Sequence, residues 1–140
     1  MSDQSPVGMY GSLASGGGAL YATAAALRGL ATDLRQGGSG VVDLDTPPAG
    51  QIEVAPIRQL AFAVSLSDEP VAIGRQGDVL LLEGGSQSMS KLAQTFENLS
   101  VSTEQLGECV APHVDLEYFP GHGFLGGSSL WLTLILVEGA

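Results

Sequence analysis

The segment from Pro112 to Gly123 carries the densest set of chemically competent side chains in the chain and contains both of its histidines. If it begins as a strand, His113, Asp115 and Glu117 project from one face, because alternate residues of a strand share a face. Imidazole and carboxylate groups can bind a metal ion or transfer protons. Such residues span about 14 Å along one strand, too far to meet one ion without a second strand. We therefore interpret this face as solvated and acidic, and predict no metal site.

His122 has a glycine on each side and is the second candidate for acid–base chemistry. A histidine in that setting can be mobile, but Pro-Gly-His-Gly is first of all the composition of a turn. The glycine runs before the two predicted helices lack the Walker lysine and the dinucleotide-binding spacing, and no nucleophile elbow occurs. His113 and His122 are therefore only minor catalytic candidates. We expect no cofactor and favour a protein that is not an enzyme.

Two acidic pairs occupy equivalent places after the two predicted helices, Asp43 with Asp45 and Asp115 with Glu117. They belong to a chain with 15 acidic and five basic residues and a formal charge of −10. Such a field repels nucleic acid and anionic membranes and attracts basic partners. The predicted partner-binding residues are Asp43, Asp45, Asp115, Glu117, His113 and His122. The alternative is that these acids serve solubility alone.

Composition and length favour one folded domain over residues 1–140. Apolar residues make up 44% of the chain and charged residues 14%, so it has enough apolar surface to fold. The longest apolar stretch, Leu130 to Val137, is far shorter than the roughly 20 residues of a membrane span. The N-terminus lacks the basic and apolar regions of a signal peptide, and the single Cys109 cannot form an internal disulfide. We expect a cytoplasmic protein with neither membrane nor nucleic-acid contacts.

Two helices follow from apolar spacing. Leu20, Ala24, Leu27, Ala31 and Leu34 recur at intervals of about four and three, which predicts a helix from Ala19 to Arg35. The corresponding stripe in the second predicted helix, over residues 86–101, consists of Met89, Leu92, Phe96 and Leu99.

Strands follow from alternation and from β-forming residues. Residues 59–66 alternate between large apolar and small or polar side chains, which is typical of a strand with one buried face. Residues 130–137 are apolar on both faces and predict a central or doubly covered strand. Shorter strands are predicted at 42–45 and 113–118. A further prediction pairs residues 71–73 with 79–82 as a hairpin.

One order of elements occurs twice, at about residues 5–66 and 69–137. It consists of a strand, a glycine-rich turn, a helix, a strand, a loop and a strand. The predicted helices align at an offset of 65 residues. The strands that directly follow them, residues 42–45 and 114–117, align at an offset of 72 residues, which places an insertion around residues 107–112. The predicted fold class is α+β: two tandem β-α-β-β repeats form one mainly antiparallel sheet, with both helices packed on one face.

The second repeat resembles small bacterial immunity proteins of polymorphic toxin systems. The resemblance rests on Val79-Leu80-Leu81-Leu82-Glu83-Gly84, on Leu92-Ala93 in the helix, on His113-Val114-Asp115-Leu116-Glu117, and on Gly127-Ser128-Ser129-Leu130 before the last strand. The chain departs from the family pattern at Asp115, where a second histidine is expected, and the first repeat has Val41 in place of His113. The resemblance implies a non-enzymatic protein that binds and blocks a cognate toxin.

Three hypotheses follow. The leading one is a non-catalytic binding protein, plausible as an immunity protein, that masks a basic toxin such as a nuclease through an acidic sheet face. The second is a small enzyme or ligand-binding protein with a pocket between the repeats, using His113 or His122. The third is a self-associating scaffold, a homo-oligomer built on an apolar edge near Leu130 to Val137.

Overall fold

The computed structural model describes residues 8–14, 17–45, 56–101, 113–118, 120, 123–127 and 129–137. These residues form nine strands and two helices, which confirms the α+β class. The strands are β1 (Met9–Ala14), β2 (Gly17–Thr23), β3 (Gly38–Asp43), β4 (Pro56–Ile57), β5 (Gln59–Ser65), β6 (Ala72–Gln76), β7 (Val79–Gly85), β8 (His113–Leu116) and β9 (Trp131–Val137). The helices are α1 (Ala24–Gln36) and α2 (Ser86–Ser100).

The strands form two sheets, so the predicted single sheet is wrong. Sheet A has the order β4-β1-β2-β9-β8, and sheet B has the order β3-β5-β7-β6. The hairpin before each helix pairs with the last strand of the other half of the chain, and these central pairs, β2 with β9 and β5 with β7, are parallel. All other pairs are antiparallel. Each sheet is therefore built from strands of both halves of the chain. Local sequence patterns do not predict this pairing between the halves.

The first half (β1 to β5) and the second half (β6 to β9) have closely similar element orders. The helices begin 62 positions apart, at Ala24 and Ser86, so the predicted helix offset of 65 is wrong. At an offset of 62 residues, each buried residue of α1 aligns with a buried residue of α2. The offset of 72 was predicted for the strands directly after the helices, but these strands, β3 and β8, begin 75 positions apart, whereas β5 and β9 begin 72 apart. The duplication itself stays a prediction, and the insertion predicted at 107–112 lies outside the described residues.

Helix α1 begins at Ala24, five residues later than predicted, because residues 17–23 form β2 instead. Strand β2 has partners on both sides, β1 and β9, and these ladders outweigh the helical spacing that Leu20 shares with the helix. Thr23 then caps the helix, since its Oγ1 accepts a hydrogen bond from the Ala26 amide at 3.2 Å. Helix α2 is confirmed almost to the residue, as Ser86–Ser100.

The remaining predicted strands are present, but the strand predicted at 42–45 lies at 38–43 as β3, and the one predicted at 113–118 ends at Leu116 as β8. Strand β5 matches the alternating segment, and β6 pairs with β7 as the predicted hairpin. Strand β9 lies between β2 and β8, the central position that its apolar composition predicted. Because β9 is paired on both sides, it is not the exposed edge on which the scaffold hypothesis relied.

One core cluster joins the inner faces of both sheets to the two helices. Leu20 and Leu134 from sheet A, Leu60 and Leu82 from sheet B, and Phe96 from α2 are each at most 1% exposed. An ion pair between Arg35 of α1 and Glu97 of α2 links the helices at the surface. Since alternate residues of a strand face opposite ways, the burial of these leucines determines which side chains each sheet turns outward.

Candidate functional site

The candidate site is the outer face of sheet A, the face opposite the buried leucines. Two rows of residues cross it in register, each contributed by β1, β2, β9 and β8 in turn. The first row contains Tyr10, Tyr21, Ile135 and His113. The second row contains Ser12, Ala19, Thr133 and Asp115. Trp131 lies beyond these rows at the start of β9. Aromatic and acidic side chains thus share one sheet surface.

Tyr10 and Tyr21 form a stacked pair at one corner of this face. Their ring centroids lie 4.8 Å apart with an interplanar angle of 9°. Both residues are partly exposed. Partial burial, and secondly the neighbouring Tyr21, raise the pKa of Tyr10 above its ordinary value, because both disfavour the phenolate. Tyr10 therefore stays neutral at neutral pH and, together with Tyr21, presents an aromatic edge to solvent.

Trp131, the only tryptophan of the chain, is 50% exposed. Its partner in β2 is Gly17. A Cβ atom on Gly17 would lie 2.6 Å from the backbone oxygen of Trp131, so a larger residue would push the two strands apart. The glycine thus permits the close approach of β2 that holds the Trp131 backbone in the sheet.

The acids of the second half lie along one edge of the same face. Asp115 is exposed in β8, the edge strand of sheet A, and its Oδ1 accepts a hydrogen bond from Thr133 Oγ1 at 2.8 Å. His113 is exposed two residues earlier, and Glu117 is exposed just after the strand. The structure therefore brings these three predicted residues to one edge of sheet A.

The acids of the first half lie elsewhere. Asp43 is exposed at the end of β3 in sheet B, where Gln59 Nε2 donates a hydrogen bond to its Oδ1 at 2.8 Å. Asp45 is less exposed, and its Oδ2 accepts a hydrogen bond from the Gly8 amide at 3.0 Å. Asp43 and Asp115 do not share one sheet, because β3 and β8 belong to different sheets, whereas Asp45 follows β3 and its amide donates to the Met9 oxygen in β1. His122 lies outside the described residues.

A cavity of about 410 Å³ adjoins the first-half acids. Its lining includes Asp43, Asp45, Arg58 and Asp78, so both halves contribute. Arg58 Nε lies 3.0 Å from Asp78 Oδ2, an exposed ion pair. The residues that line this cavity do not include His113, the described histidine.

The strands of sheet A contain no lysine or arginine. The five basic residues of the chain are Arg28 and Arg35 in α1, Lys91 in α2, Arg58 between β4 and β5, and Arg75 in β6. Arg35 and Arg58 are paired with Glu97 and Asp78. The strands of sheet A contribute one acid, Asp115, and Glu117 follows directly after β8.

Reasoning from sequence missed the aromatic part of this site. No motif in the sequence assigns a role to Tyr10, Tyr21 or Trp131. The available signal was the alternation of residues 19–22, in which Leu20 and Ala22 are buried while Ala19 and Tyr21 are partly exposed. That signal was obscured because Leu20 also fits the helical stripe.

Within the described residues, no group of three or more His, Cys, Asp or Glu side chains is placed to hold a metal ion. Neither α1 nor α2, the helices of the described part, has the length and apolarity of a membrane span. No family model, curated protein or solved structure matches this chain.

Proposed function

We propose that this protein is a non-catalytic binding protein whose partner is a basic protein, and that it acts as the resemblance to immunity proteins implies, by masking a toxin in the cytoplasm. One observation carries the proposal. The outer face of sheet A combines the half-exposed Trp131 and the partly exposed Tyr10 and Tyr21 with the acids of the β8 edge, and its strands contain no lysine or arginine.

This combination suits a protein interface for two separate reasons. Tyrosine and tryptophan are enriched at interface centres, since they contribute a large contact area with little loss of side-chain entropy. Exposed acids such as Asp115 and Glu117 contribute less to affinity than to the rate and selectivity of encounter with a basic surface. The net charge of −10 acts in the same direction. A standard interface of roughly 800 Å² per partner is within reach of a chain of this size.

The test begins with capture of the partner. Immobilised protein recovers binders from an extract of its native host, and association of the purified binder is then measured by stopped flow at several salt concentrations. We expect a basic partner, and the double variant Asp115→Lys/Glu117→Lys should slow association about 10-fold at low salt.

The matched control is Asp43→Lys/Glu83→Lys, which makes the same change of charge at two exposed residues of sheet B. It should leave the association rate close to that of the unchanged protein. An unchanged rate in the double variant, or an acidic partner, would contradict the proposal. Equal slowing by the control would move the binding surface away from sheet A.

A second candidate, small-ligand binding, is favoured by the cavity that contains Arg58 and Asp78. The carboxylates of Asp43, Asp45 and Asp78 outnumber the guanidinium of Arg58, which is already paired with Asp78, so the ligand would be a small cation such as an amine. Thermal shifts with a panel of small amines test it. A stabilising amine whose effect disappears in Asp45→Asn would support this candidate, and the absence of any stabilising amine would count against it.

A further inference from the structure

We propose, as an extension that rests on the proposed function, that the outer face of sheet A binds an extended segment of the partner carrying cationic side chains four residues apart. The observation behind this inference is the placement of the aromatic groups. The stacked tyrosines and Trp131 lie at separate ends of the face, with a row of small side chains between them.

The distance between the stacked tyrosines and Trp131 follows from the strand register. Tyr21 lies opposite Ile135, and Trp131 lies four residues before Ile135 in the same strand. At roughly 3.3 Å per residue, the two aromatic positions are about 13 Å apart along the strand direction. Residues i and i+4 of an extended segment are separated by the same distance, whereas in an α-helix they are separated by only about 6 Å. The face therefore matches cations four residues apart in an extended segment, whereas an α-helix would need cations about eight or nine residues apart.

The chemistry of each end favours a cation. The faces of tyrosine and tryptophan rings attract cations, and a planar guanidinium can also stack on an aromatic ring. The parallel rings of Tyr10 and Tyr21 offer a stack that an arginine can continue. Arginine should therefore bind better than lysine, whose ammonium makes no planar contact.

The middle of the face leaves room for the backbone of the segment. Ser12, Ala19 and Thr133 form the row between the two aromatic ends and are all small. Asp115 ends that row at the β8 edge, where it adds negative charge midway between the aromatic positions. Because the strands of sheet A carry no lysine or arginine, a cationic segment meets no like charge from them.

The test uses two synthetic peptides of identical composition, with two arginines among serines and threonines. In one the arginines are four residues apart, in the other two apart, and a third peptide replaces both arginines by uncharged citrulline. Binding is followed by NMR shifts of the backbone amides and of the Trp131 indole. We expect the four-residue spacing to bind about 5-fold more tightly than the two-residue spacing, and citrulline to abolish binding.

Variants locate the effect. Trp131→Leu and Tyr21→Leu should each weaken the four-spaced peptide about 5-fold and reduce its advantage over the two-spaced peptide. Leu81→Ala on the outer face of sheet B is the matched control and should leave both affinities unchanged. The dispersion of each variant's amide spectrum verifies that it is folded.

The outcomes separate this inference from the proposed function. Equal affinity for the two spacings, shifts centred on sheet B, or no peptide binding overturns the inference. In each case, slow association of the Asp115→Lys/Glu117→Lys variant with the captured partner would still support the proposed function. Spacing-dependent peptide binding with an unchanged partner association rate would support the site and overturn its assignment to the basic protein partner.

Discussion

The two sheets are built alike but present different outer surfaces. Each pairs a hairpin from before one helix with the strands that follow the other helix, and each buries leucines on its inner face. The outer face of sheet B has a row of small or aliphatic residues, Val41, Ala61, Leu81 and Gly74, where sheet A has a row with two stacked tyrosines. The shared core constrains the residues of both inner faces. The outer faces are free to differ, and a specific binding function therefore depends on them.

The largest expected effect is on stability and concerns the buried leucines that the inner faces of both sheets share. Leu134 of sheet A and Leu82 of sheet B are both fully buried. Truncation to alanine removes apolar contact and leaves a cavity, so Leu134→Ala and Leu82→Ala should each lower the free energy of unfolding by about 2–5 kcal/mol. Urea denaturation measures both. A cost below about 1 kcal/mol for either variant would show that its sheet is not part of the common core.

The next-largest expected effect concerns a close backbone contact that Gly17 makes in sheet A and that Gly74 lacks in sheet B. Gly17→Ala places a methyl group against the Trp131 carbonyl and should destabilise the protein by about 1–3 kcal/mol. Gly74→Ala in sheet B is the matched control, because nothing lies within 4 Å of a Cβ there. It should be neutral or slightly stabilising, since alanine loses less backbone entropy than glycine. Equal losses in the two variants would contradict the close β2–β9 approach.

A smaller effect is the alkaline pH dependence that Tyr10 gives to sheet A. The pKa of Tyr10 is raised in the folded protein, by burial and then by Tyr21, so the folded state retains the phenol proton more strongly than the unfolded state. Its contribution to stability is complete below the ordinary tyrosine pKa of about 10 and declines as the pH rises through the folded pKa. Tyr10→Phe should lose less stability over that range in urea denaturation. Identical pH profiles would contradict the stacked environment.

The sequence predicted the elements whose patterns are local. Helix α2, strand β5 and the β6–β7 hairpin follow from residue spacing, and each agrees with the structure. The start of α1 does not, because Leu20 satisfies a helical and a strand pattern equally and only the ladders to β1 and β9 decide between them. The division into two sheets depends on pairing between the halves, which spacing within a half does not determine.

The candidate site was predicted only in part, for the same reason. His113, Asp115 and Glu117 were grouped correctly because they are close in sequence. Asp43 and Asp115 were assigned to one surface because their local patterns match, yet they lie on different sheets. Tyr10, Tyr21 and Trp131 come from three strands, and register alone places them on one face.

The most direct test of the sheet A assignment is the fluorescence of Trp131 itself. As the sole tryptophan, half-exposed on the outer face of sheet A, it reports on that face alone. The peptide with arginines four residues apart is titrated while emission and binding heat are recorded in parallel. We expect a saturable change in Trp131 emission with the same affinity as the heat signal. Binding heat with no change in Trp131 emission, or no binding at all, would contradict the assignment to sheet A.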